Sequence, residues 1–168
     1  MKKKVGNTPM DAALKYLTPK ARTVREVERH LDSCNYGEYE VYQVVERLKE
    51  LNLLNDENYA AEFVRSRLAT RAVSRKKLYQ QMLSHELPKD IIENALSGVP
   101  EETELSGATE TAEKFLRQLS SYDEDERRER VLRRLLGRGY DYGIAKQAYD
   151  AARALEEQSE SDESEQEE

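Results

Sequence analysis

Tryptophan is absent from this chain of 168 residues, and cysteine occurs once, at Cys34. A single thiol forbids an internal disulfide, which fits a reducing cytoplasm. No apolar run approaches the roughly 18 residues that a membrane-spanning helix needs, so no membrane contact is expected. The lysines Lys2, Lys3 and Lys4 are not followed by an apolar stretch, so no secretory signal is expected. Histidine is nearly as scarce as cysteine. His30 and Cys34 stand at i, i+4 and can share a helical face, but a metal site takes three or four ligands and His85 is the other histidine. Packing or surface roles therefore suit these residues better than metal binding, and no cofactor is expected. Apolar residues make up 38% of the chain and charged residues 36%, an apolar share lower than an ordinary globule of this size carries. A thin array of helical repeats needs less, because each unit buries a single stripe.

What is present is an internal repeat. Val27, Leu31, Tyr36, Val41, Val44 and Val45 recur 51 residues later as Leu78, Met82, Leu87, Ile92, Ala95 and Leu96. They recur after a further 53 as Val131, Leu135, Tyr140, Ala145, Ala148 and Tyr149. An Ala-x-x-aromatic-aliphatic signature precedes each copy: Ala13, Tyr16, Leu17; Ala60, Phe63, Val64; Ala112, Phe115, Leu116. Repeats of this length mean stacked supersecondary units, which present an extended surface rather than a closed catalytic pocket.

Every apolar pattern has helical spacing, and no convincing strand alternation occurs. Pro9 and Pro88 suit helix starts. Gly37, Gly98 and Gly139 fall where a left-handed residue ends a helix at little cost. Thr23-x-x-Glu26 and Asp123-x-x-Glu126 read as capping boxes, and Asn55 or Asp56 can cap the helix that carries Phe63. The expected fold is all-α: three tandem three-helix repeats with helices near 9–17, 23–34, 38–52; 56–70, 74–85, 88–97; and 104–119, 124–137, 141–155. The domains are then an N-terminal arm at 1–8, repeats at 9–54, 55–99 and 100–155, and a disordered acidic tail at 156–168. Pro100–Gly107 is expected to be a flexible joint.

Charge is unevenly spread. Residues 156–168 hold eight acids and no base, leaving 27 bases against 26 acids in residues 1–155. Arg65, Arg67, Arg71, Arg75, Lys76 and Lys77 crowd one junction with no acid among them in sequence. Arg127, Arg130, Arg134 and Arg138 follow i, i+3, i+7, i+11, with Val131, Leu132, Leu135 and Leu136 facing the other way. These ten residues are the candidate binding site, for nucleic-acid phosphate or for an acidic protein surface. Arginine suits bidentate recognition of either. A solvated face closed by local ion pairs is the alternative for each group. The tail is read either as solubilising or as a competitor that covers the bases.

No nucleophile–base–acid set is visible, so no catalytic residue is assigned. The run from Gly137 to Gly143 has the wrong glycine spacing for a phosphate loop and follows a helix, so it is read as a helical junction. Tyr16, Tyr36, Tyr59, Tyr140 and Tyr149 fall on or beside repeat positions and are expected in the core. Tyr39, Tyr42, Tyr79 and Tyr142 fall off them.

The segment Tyr36–Arg67 resembles the signature of the RecX family, bacterial regulators of the RecA recombinase. The likeness rests on the Val41-x-x-Val44-Val45-x-x-Leu48 helix, Leu53-Leu54-Asn55-Asp56-Glu57, Tyr59-Ala60 and Phe63-Val64-Arg65-Ser66-Arg67. Arg75 to Leu96 continues it, and the stretch from Leu135 through Tyr140 to Tyr142 resembles the family's closing motif. Together these cover about residues 10–155. Arg71–Ser74 stands where the family often has a glycine-containing turn, and Cys34-Asn35 where it often has Lys-Gly. The resemblance implies an elongated, curved array, without enzymatic activity, that binds RecA–single-stranded DNA filaments and inhibits ATP hydrolysis and strand exchange; a monomer is the default expectation. It also implies weak direct DNA binding. A stand-alone nucleic-acid-binding repeat using the same arginines is the second reading.

Overall fold

The computed structural model describes residues 8–165, and among them every regular element is a helix. The first three are α1 (Pro9–Leu17), α2 (Val24–Ser33) and α3 (Glu38–Glu50). Next come α4 (Asp56–Thr70), α5 (Arg75–Ser84) and α6 (Lys89–Ser97). The last are α7 (Glu101–Gln118), α8 (Glu124–Gly137) and α9 (Tyr142–Glu165). The helices form two compact units: unit 1 holds the described residues up to Val64 with Gln81–Ala95, and unit 2 holds Arg65–Gln80 with Leu96 onward. The second repeat is divided between them.

The starts follow from caps. Thr8 and Thr23 each accept from the N3 backbone while the N3 carboxylate reaches back, and Pro9 occupies the first position of α1. Asn55 Oδ1 accepts from Asn58 N at 2.9 Å and so caps α4. Asp123 caps α8, but Glu126 turns to Arg130 instead of closing the box.

The repeat positions form the cores. Val27, Leu31, Val45 and Leu48 are sealed in unit 1 with Ala13 and Leu54. Val131, Leu135, Tyr140, Ala145 and Ala148 are sealed in unit 2 with Ala112 and Leu116. Each fully buried aliphatic side chain contributes about 1.5–3 kcal/mol. Tyr140 and Tyr149 are buried, whereas Tyr16, Tyr36 and Tyr59 are half-buried.

The second helix of every repeat ends alike. Asn35, Glu86 and Gly139 have φ of 63°, 58° and 94°. The next residue's N–H (Tyr36, Leu87, Tyr140) donates to the carbonyl of Leu31, Met82 or Leu135 at 3.4, 3.4 and 3.3 Å. This is a left-handed C-terminal cap with a six-to-one bond. Gly37 is not left-handed. At φ −75° it is the N-cap of α3, its N–H donating to Glu40. Among the described glycines Gly139 alone has positive φ.

A second contact also recurs, linking the second helices of successive repeats. In unit 1, fully buried Thr23 donates its hydroxyl to the His85 carbonyl at 2.9 Å. In unit 2, fully buried Ser74, 51 residues later, faces the Arg138 carbonyl at 3.4 Å. The following backbone N–H is held by an acid from the next repeat's first helix: Val24 N by Asp56 at 2.8 Å and Arg75 N by Glu104 at 3.0 Å.

Two segments differ from the sequence expectation. Residues 101–107 are the first turns of α7, not a joint. Glu101, Glu102 and Glu104 favour a helix N-terminus, and Gly107 lets the helix approach Ala72, whose Cβ would lie 3.1 Å from an added Cβ. α9 continues through Glu165, where the reading from composition expects no order beyond 155. Glu156 explains the continuation, since it bonds Arg127 at 2.5 Å and Arg153 at 2.6 Å. Residues 166–168 of the tail and 1–7 of the arm lie outside the described residues.

Candidate partner-binding surface

All ten candidate bases lie in unit 2. They do not serve one purpose. Arg127 is buried, 8% exposed, because it stands at i−4 and i−8 from Val131 and Leu135 on the core side of α8. Its guanidinium donates to the Leu116 carbonyl at 2.8 Å and to Glu156. Arg75 is half-buried and donates to the Leu96 and Val99 carbonyls at 3.0 and 3.1 Å, satisfying the end of α6. Both act within the fold. Arg130 binds Glu126 at 2.6 Å and covers the Tyr122 ring at 4.2 Å. Leu136, expected on the core side, is 43% exposed.

The bases that face solvent meet where α5 starts and α8 ends. Ser74 caps α5 by accepting from Lys77 N at 3.1 Å, and the same hydroxyl faces the Arg138 carbonyl. Gly139 permits the approach, since a Cβ there would lie 2.7 Å from Ser74 Oγ and 3.6 Å from Lys77 Cβ. Lys77 is thereby brought beside Arg138, with Lys76 next to it in sequence. Arg134 and Arg138 lie over the Phe115 ring at 5.1 and 5.2 Å, which holds both guanidinium groups to one side of α8. Lys76, Lys77, Arg134 and Arg138 are all exposed. Bases gathered in this way attract an anion more strongly than the same bases spread along a helix.

Arg65 and Arg67 lie earlier in the chain, on α4, and are not among the bases that the approach of Ser74 to Gly139 gathers. Arg71 is exposed and lines a cleft with Leu68, Ala72 and Glu102. Glu110 lines the same cleft. The run that is free of acids in sequence is therefore not free of them in space, as Glu102 and Glu104 from α7 reach it.

Glu156 and Glu157 of α9 are positioned away from the cluster. Tyr149 Oη donates to Glu124 at 2.8 Å, and Arg153 binds the same carboxylate at 3.0 Å. Burial, then the Glu124 bond and charge, push the Tyr149 phenol up to about 12. α9 thus runs back along α8, reaching its first turn by Glu156. Arg138 lies about 20 Å off, at the opposite end of α8. Burial raises the Glu156 carboxyl, but bonds from Arg127 and Arg153 outweigh it and hold the group below the usual range.

Three features were not singled out from sequence: Phe115 as a platform, Ser74 as a clasp, and Glu156 as the partner of a buried arginine. The first two stand at repeat positions. Thr23 and Ser74 are one period apart, and that register was a usable signal. Among the described residues no group of His, Cys, Asp and Glu is arranged to hold a metal ion, and no helix is long and apolar enough to cross a membrane. Cys34 Sγ is 4.0 Å from His30 Nε2, and His30 stacks on Tyr16 at 4.0 Å.

Comparison with known proteins matches three family models in order: the first three-helix domain of RecX at residues 10–48, the second at 55–96 and the third at 102–149. The regulatory protein RecX of Clostridium botulinum (strain Alaska E43) is 30% identical over 138 residues, covering 81% of this chain and 64% of its own length. That of Mycolicibacterium vanbaalenii is 30% identical over 148 residues, covering 84% and 80%. The chain therefore spans just under two thirds of the clostridial relative. The crystal structure of RecX from Lactobacillus salivarius superposes with a TM-score of 0.82 at 26% identity, covering 87% of this chain and 95% of that one.

Proposed function

The chain belongs to the RecX family, and from that premise we propose that it regulates RecA, binding RecA–single-stranded DNA filaments and inhibiting their ATP hydrolysis and strand exchange. The observation that carries the reading is the ordered run of three RecX domains across residues 10–149. The solvent-facing cluster of Lys76, Lys77, Arg134 and Arg138 supports it, as a contact for phosphates of the strand held in the filament or for acidic side chains beside it. Consecutive repeats offer several patches along one chain, so modest contacts add through effective concentration. The protein acts as a monomer in the cytoplasm, in DNA repair and the SOS response, and carries out no chemistry of its own.

The same cluster also suits a stand-alone nucleic-acid-binding repeat, which must hold naked single strands tightly at physiological salt. The near balance of 27 bases against 26 acids in residues 1–155 favours the regulator. The deciding experiment follows single-strand-dependent ATP hydrolysis by the cognate RecA while this protein is titrated below the RecA concentration. Suppression at substoichiometric amounts is expected. Unchanged hydrolysis together with tight binding to naked strands overturns the regulator in favour of the nucleic-acid-binding repeat.

A further inference from the structure

Unit 1 carries a face of different chemistry. Tyr39 and Tyr42 stand at i, i+3 on α3, on the side opposite the buried Val41, Val44, Val45 and Leu48. They are 71% and 63% exposed, which for two aromatic rings on one helical turn is a large uncovered area. Gln43 donates to the Tyr39 hydroxyl at 2.9 Å, so the first ring is already held in place. Tyrosine on a rigid element loses little conformational entropy on binding and is enriched among residues that dominate interface energies.

The charges around the rings select the partner. Arg47 is bound to Glu50 and Lys49 to Glu46, both at 2.8 Å, so the two bases of α3 are neutralised on the helix. Glu38 and Glu40 precede and follow Tyr39 and make the approach acidic. Among the described residues of α3, a polyanion meets no cation that is not already paired. Elsewhere the chain covers its tyrosines with its own arginines: Arg22 lies over Tyr16 at 4.1 Å, Arg130 over Tyr122 at 4.2 Å and Arg128 over Tyr149 at 5.9 Å. Among the described residues no guanidinium lies over Tyr39 or Tyr42. We infer that the Tyr39–Tyr42 face of α3 is a docking surface for a basic protein segment, whose arginine side chains stack on the two rings and pair with the flanking carboxylates. This inference is independent of the phosphate-directed cluster in unit 2.

The test measures fluorescence anisotropy of a labelled peptide of alternating arginine and alanine, at physiological salt, with the full chain and with its Tyr39→Ala/Tyr42→Ala variant. Residues 156–168 are common to both proteins, so peptide held by those acids contributes equally. The variant is expected to bind the peptide about tenfold more weakly. The Tyr39→Phe/Tyr42→Phe protein keeps most of the affinity, and a single-stranded oligonucleotide binds all three within about twofold. Equal peptide affinity in wild type and alanine variant overturns the inference. A loss of oligonucleotide binding in the alanine variant also overturns it, by placing the polyanion on this face. A wild-type dimer that sediments as a monomer in the variant overturns it in favour of a second copy of the chain.

Discussion

Asn35, Glu86 and Gly139, one repeat apart, share a left-handed backbone, yet one of them alone is glycine. In the third copy a Cβ would lie 2.7 Å from Ser74 Oγ, so steric exclusion is added to the backbone cost. Gly139→Ala is therefore expected to lower stability by about 2 kcal/mol or more, read from the urea midpoint, because it meets both penalties. Asn35→Gly, at an exposed position, is expected to change stability by less than about 0.5 kcal/mol. An equal effect of the two substitutions would show that neither penalty operates at Gly139. The turn itself was legible as a position between helices, through the repeat. Its residue was not, because Glu86 carries no turn signal and Gly37, which does, is an N-cap instead. Arg127 shows the same limit. Its spacing to Arg130 and Arg134 suggests a polar stripe, but its spacing to Val131 and Leu135 is the one the fold uses, since the Leu116 carbonyl and Glu156 satisfy its charge.

Helix positions and types were nearly all readable from the 3.6-residue pattern and the caps, and the two departures share a cause. Composition suggested a joint at 100–107 and a disordered tail, but contacts distant in sequence decided both: Ala72 for Gly107, Arg127 for Glu156. In the first two repeats the start of the second helix is covered by the next repeat, through Thr23 and Ser74. The third repeat has no successor among the described residues. The corresponding place on α8 is covered instead by Tyr149, Arg153 and Glu156 of α9. Truncation after Leu155 removes Glu156 and leaves Arg127 without its carboxylate. Truncation after Glu157 keeps the pair. The first is expected to lose about 2–3 kcal/mol and the second less than about 0.5, by thermal or urea unfolding. Glu156 and Glu157 pair at the end of α8 opposite Arg134 and Arg138, so the longer truncated protein should bind a single-stranded oligonucleotide within about twofold of wild type at physiological salt. A marked gain in affinity would instead support the tail as a competitor. Because the folded Glu156 carboxyl lies below its ordinary 4.5, its contribution is present above that pH and lost as pH falls through the folded value. Wild type and Glu156→Gln should thus differ in stability at neutral pH and converge in acid.

With the acidic stretch from residue 156 set aside, charge is divided by unit rather than by repeat, although that stretch belongs to the second unit and brings it to 16 bases against 20 acids. Residues 8–64 and 81–95 hold 14 acids against 8 bases, while residues 65–80 and 96–155 hold 16 bases against 12 acids. The net of −7 conceals this, and so does the near neutrality of residues 1–155, because the boundary passes through the second repeat. The ten candidate bases were legible as two groups in sequence. Their division into buried, ion-paired and solvent-facing members depends on α7 and α9, which no local pattern foretells. A charge-reversal experiment must respect that division. Arg75→Glu would strip the Leu96 and Val99 carbonyls of their donor, so weaker binding would be confounded with loss of fold. Lys76→Glu/Lys77→Glu/Arg138→Glu leaves those bonds intact. It is expected to weaken filament binding while preserving the helical circular-dichroism signal. If the cluster meets phosphates of a single strand, the slope of log affinity against log salt should fall by about 0.7 for each phosphate no longer neutralised, about 2 in all. Arg133→Glu, on an exposed side chain already paired with Glu129, serves as a charge control and should change the slope little. A folded triple variant that suppresses RecA as well as wild type would remove the cluster from the contact and leave the regulatory surface to be sought elsewhere on the chain.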